Sequence, residues 1–67
     1  MNLFTPSRKV KKIYFRKGEH QFVLLSLFIF NATNQKWKDD EIKKVVQEAK
    51  KKDYKHLLNT LRNHSST

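Results

Sequence analysis

Residues 22–30 read FVLLSLFIF, nine positions with Ser26 as the one polar interruption. A helix apolar on every side must be covered on every side, and a chain of 67 residues has little else to cover it with. The run is too short to span a bilayer, which takes about 20 residues, so it is expected to sit in a small core. Leu24, Leu25 and Leu27 favour helix, whereas Val23, Ile29 and the phenylalanines favour strand. Extending the run back to Glu19, whose charge suits a first turn, gives about 13 residues, a normal helix and a long strand. A helix over 19–31 is therefore predicted, with Thr33-Asn34-Gln35 as a polar connector.

Two clearer helices follow. Asp39, Asp40 and Glu41 stack acids at a helix start, with Asp39 as N-cap, and Ile42, Val45, Val46 and Ala49 then recur at i, i+3, i+4, i+7. Asp53 caps a third segment, where Tyr54, Leu57, Leu58 and Leu61 repeat that stripe. Trp37, between polar residues ahead of the second helix, is expected to lid the core, with stacking or an interface role as the alternative. The fold expected is an all-α, three-helix module over residues 19–64, behind a basic N-terminal arm over 1–18 and ahead of a frayed tail that covers 65–67, with His64 at its start. In the arm, Phe15 is expected in the core and Tyr14 is left open.

The charge is lopsided. The chain has 15 Lys and Arg against 6 Asp and Glu, a net charge of +9. Arg8, Lys9, Lys11, Lys12, Arg16 and Lys17 precede any acid. Such an excess points to a polyanionic partner. With its apolar stripe inward, the third helix turns Lys55, His56, Asn59, Thr60, Arg62 and Asn63 outward, types suited to phosphates and base edges. The expected function is non-enzymatic nucleic-acid binding, DNA before RNA. Arg8, Lys9, Lys11, Lys12, Arg16 and Lys17 would track phosphates, and Lys55, Asn59 and Arg62 would make helix-turn-helix-like contacts. A phage or mobile-element regulator or a replication accessory factor fits this style.

Cys is absent, so neither disulfides nor thiolate zinc sites exist to staple so small a core. A partner chain is the remaining staple. A homodimer through Leu24, Leu27 and Phe28 is expected, with Val10, Ile13 and Phe15 folding over the open side as the alternative. No A-x-A-like cleavage site follows the apolar run, so a cytoplasmic protein with no membrane span is expected. His56 and His64 lie eight apart, too far to share an ion, and no nucleophile elbow, phosphate-binding glycine loop or paired carboxylates occur. No catalytic residue, metal or cofactor is expected.

Two other classes are open. The apolar segment 22–30 could dock another protein, or a cationic chain with such a run could act at membranes. If residues 9–17 and 20–30 instead formed a hairpin, His20 would sit at its turn. Gly18 and His20 are similar to two positions of the Gly-Ser-His motif of HicA-type ribonuclease toxins, with Glu19 in place of Ser. That resemblance covers about five residues and lacks the family's preceding helix. It implies a hairpin and a His acting as general base on a ribose hydroxyl.

Overall fold

The computed structural model describes residues 2–66. Three helices follow one another: α1 (Gln21–Asn34), α2 (Asp39–Ala49) and α3 (Tyr54–Asn63). Among the described residues there is no strand, only an isolated parallel bridge between Val10 and Ser65. The hairpin implied by the toxin resemblance is therefore not formed. His20 instead caps α1, its Nδ1 accepting from the Phe22 amide at 3.1 Å.

α1 starts and ends later than its composition suggests. Thr33 and Asn34 belong to the helix, which closes in a Schellman motif. Lys36 takes the left-handed conformation (φ 66°), its amide donates to the Thr33 carbonyl at 3.1 Å, and the Trp37 amide donates to Ala32 at 3.0 Å. Ala32 and Trp37 are both buried, giving the hydrophobic contact that accompanies such a cap. α2 begins at Asp39 rather than using it as a cap. Lys38 holds the N-cap position, and the Glu41 carboxylate accepts from its amide at 2.8 Å. Asp53 caps α3 as expected, accepting from the His56 amide at 3.0 Å.

The stripes of α2 and α3 face each other, and these two helices make the most extensive contact in the molecule. Ile42, Val45, Ala49, Leu57, Leu58 and Leu61 are buried there. Against this pair α1 turns only Leu24, Leu25, Phe28 and Ala32. The N-terminal segment covers a further side with Val10, Ile13 and Phe15, all buried. It is extended and tied down. Val10 donates to the His64 carbonyl at 2.8 Å, Ser66 donates to Val10 at 2.8 Å, and Ile13 donates to Ser66 at 3.0 Å. Residues 64–66 are thus not frayed, and Thr67 lies outside the described residues. A run of aromatic contacts crosses the core: Phe15 to Phe28 (6.3 Å), Phe28 to Trp37 (5.5 Å), Trp37 to Phe4 (5.6 Å) and Phe4 to His64 (5.8 Å). Three of the four are edge-on or nearly so, the arrangement favoured by ring quadrupoles.

No helix of the described residues is long and apolar enough to cross a membrane.

Candidate nucleic-acid interface

The N-terminal segment reaches the C-terminal end of α1 at Lys11. There the Gln35 side chain clamps the Lys11 backbone, its Oε1 accepting from the Lys11 amide and its Nε2 donating to the Lys11 carbonyl, each at 2.8 Å. Lys12 follows in the left-handed region (φ 61°), so the chain bends sharply just past the clamp. Behind them Arg8 lays its guanidinium over the Trp37 ring at 4.9 Å and reaches Glu41 at 3.5 Å. Its Nε is buried without a partner.

These constraints shape a groove of about 770 Å³ lined by Ser7, Arg8, Lys9, Lys11, Lys12, Asn31, Gln35 and Trp37. Its lining holds four cations and no acid. Glu41 lies behind it on Arg8. α1 has no basic residue in its own last turn, so Lys11 and Lys12 bring across space the positive charge that its C-terminal carbonyls favour. Asn31, which donates to the Leu27 carbonyl at 2.8 Å, and Gln35 are already tied to backbone. They form a fixed wall, while the lysine ammoniums are exposed.

A second basic depression, of about 370 Å³, lies where the segment meets α3, lined by Lys17, Tyr54, Lys55, Leu58, Asn59 and Arg62. The sequence-predicted residues thus sort into two groups. Arg8, Lys9, Lys11 and Lys12 share the first groove, and Lys17, Lys55, Asn59 and Arg62 share the second depression. Arg16 is exposed and lines neither.

Part of the outward face expected of α3 is spent on the protein itself. Arg62 donates to the Phe15 carbonyl from Nε (3.1 Å) and Nη2 (2.9 Å), and stacks on Tyr14 at 5.3 Å. Thr60 is buried. His56 Nε2 lies 3.0 Å from the Glu48 carboxylate, whose pKa is held below its ordinary value, first by the Lys51 hydrogen bond and then, against desolvation, by His56. Asn2 donates to the Asn63 carbonyl at 3.1 Å. Lys55, Asn59 and Asn63 remain exposed. These three stand four apart along α3 and leave a polar strip beside the tethered Arg62.

Compared with protein-family models, curated proteins and solved structures, the chain matches none.

The expected dimer positions need correction. Leu24 and Phe28 are fully buried in the chain's own core, so neither is free for a partner, and only Leu27 lies at the surface. Sequence reasoning missed Asn31, Gln35 and Trp37 as groove residues. An Asn and a Gln in a polar stretch carry no signal of their own, and Trp37 was legible as a core lid or, alternatively, as a stacking or interface residue. No group of three or more His, Asp or Glu among the described residues is arranged to hold a metal ion.

Proposed function

We propose that this protein is a small, non-enzymatic nucleic-acid-binding protein, DNA before RNA, that holds the phosphodiester backbone in the groove of Arg8, Lys9, Lys11 and Lys12. The observation that carries this reading is the convergence of four cations on one concavity whose backbone is clamped by Gln35. Ammoniums poised on a fixed loop neutralise phosphates and release counterions without first ordering the chain. The second depression, with Lys17 and Lys55, extends the basic surface along the same segment. Because the groove's amides are committed to backbone, binding is largely independent of sequence.

The test is a fluorescence-anisotropy titration of labelled duplex and single-stranded DNA at about 50 and 200 mM salt. Binding should fall steeply with salt. The double variant Lys11→Glu, Lys12→Glu should weaken binding to all sequences alike and flatten the log–log salt slope by about 2. Wild-type affinity and slope in that variant would remove the groove from the mechanism. Absence of binding at low salt would remove the function.

A further inference from the structure

The outer face of α1 is the largest apolar feature on the surface. Phe22 and Phe30 are 64 % and 65 % exposed, Leu27 is 39 % exposed, and Val23 and Ile29 are exposed beside them. Phe22, Val23, Ser26, Leu27 and Phe30 line a shallow groove of about 430 Å³. Together these side chains offer about 400–500 Å² of apolar surface, within the ~300–600 Å² of the largest patch on a single soluble chain, a feature that is often functional.

We infer that this face is covered by a second copy of the chain, the two α1 helices crossing antiparallel about a two-fold axis at Ser26. The order of residues carries the inference. Reading outward from Ser26, Val23 and Ile29 stand three positions away on either side, and Phe22 and Phe30 stand four away. A two-fold axis at Ser26, perpendicular to the Phe22–Ser26–Phe30 row, therefore sets Phe22 against Phe30 of the second copy at both ends of the seam, while Val23 and Ile29, on opposite flanks of that row, each lie beside their own counterpart. Such self-complementarity is what an isologous interface requires. The small residue falls at the crossing point, where the backbones come closest, and the ridge Phe22–Ser26–Phe30 follows the i±4 row used in the commonest helix packing. The Ser26 hydroxyl can donate within its own helix to the Phe22 carbonyl, so burying it strands no donor.

Charge and area agree. No charged residue occurs from Gln21 to Gln35, so closing the seam desolvates no charge. Two faces together bury close to 1,000 Å² with their rims, the lower bound for a specific interface, which sets a weak dimer on the order of micromolar to tens of micromolar. Each copy carries +9, mostly outside the seam, so the copies repel at low salt. Self-association should therefore strengthen as salt rises, opposite in sign to phosphate binding.

The test is sedimentation velocity from about 5 to 300 μM at low and high salt. Concentration-dependent dimer that grows with salt is expected, and Ser26→Glu, at an exposed position, should abolish it while circular dichroism stays unchanged. Because the chain has no cysteine, Ser26→Cys tests the axis directly. It should oxidise rapidly to a covalent dimer, whereas Gln47→Cys on α2 should not. A monomer at every concentration, or a dimer untouched by Ser26→Glu, would overturn the inference. So would a monomer that sediments with vesicles of anionic phospholipid through this face, which would make a lipid surface the occupant.

Discussion

Replacing His64 with alanine should remove a large part of this protein's stability. The ring is fully buried, its Nδ1 donates to the Thr60 carbonyl at 2.7 Å, and its Nε2 accepts from the Leu3 amide at 2.9 Å. An acceptor for a backbone N–H must be unprotonated, so the ring is the neutral Nδ1–H tautomer. Alanine orphans the Thr60 carbonyl inside the core, at about 1–3 kcal/mol, and the half-buried Leu3 amide, part of whose loss water recovers. Losing the edge contact with Phe4 adds about 0.5–1 kcal/mol, for a total of about 3 kcal/mol. A domain of this size commands only about 3–10 kcal/mol in all, and its Tm should drop by about 12–24 °C.

Acid should imitate the substitution in part. Desolvation by burial lowers the His64 pKa below its ordinary 6.5, outweighing the Thr60 hydrogen bond that pulls the other way. The unfolded chain then takes a proton that the native ring resists. Stability is whole above about pH 6.5 and declines as the pH falls through and below that value. Urea unfolding followed by circular dichroism at pH 7.5, 6.5 and 5.5 should show this decline in the parent and a smaller one in His64→Ala. His20 and His56 are common to both proteins, so the difference isolates His64. Equal pH slopes in the two proteins, or a loss below about 1 kcal/mol, would refute the reasoning.

Arg62→Lys keeps the charge but loses the fork that holds the Phe15 carbonyl. It should cost about 1–2 kcal/mol and speed proteolysis within residues 2–17, read by mass spectrometry of the fragments. Lys36→Gly relieves a left-handed lysine at the end of α1 and should stabilise by about 0.5–1 kcal/mol in thermal melts, and a destabilised variant would show that the lysine side chain contributes more than its backbone costs.

The two later helices were legible because each signal in them is local. Stripe, acidic start and Asp53 cap agree within a dozen residues, and Leu57, Leu58 and Leu61 are buried where the period puts them. The end of α1 was not legible, because a Schellman closure normally announces itself with Gly and here Lys36 takes that place. The N-terminal segment was legible only as the alternative to a partner chain. Val10, Ile13 and Phe15 are spaced three and then two apart, which fits neither helix nor strand, and their burial is decided by what they meet across the fold. The same segment explains the outward face of α3. Arg62 looks solvent-facing until Tyr14 and Phe15, from the other end of the sequence, are laid against it. The basic residues of the groove could be named from charge alone, but their grouping could not, because it depends on the Gln35 clamp.

The bridge between Val10 and Ser65 has a consequence for the order of folding. Its partners are 55 positions apart, and the bond from Leu3 to His64 spans 61. Contacts of such separation form late, after the local turns of α2 and α3 have met. During synthesis the cationic segment precedes the helices, and although Phe28 and Gln35 become available to it earlier, its backbone bonds to His64 and Ser66 wait until those residues have left the ribosome. On this ground the helical hairpin of α2 and α3 is expected to form before the groove, which the bonds to His64 and Ser66 complete. A variant that weakens the bridge should leave the folding rate nearly unchanged and accelerate unfolding.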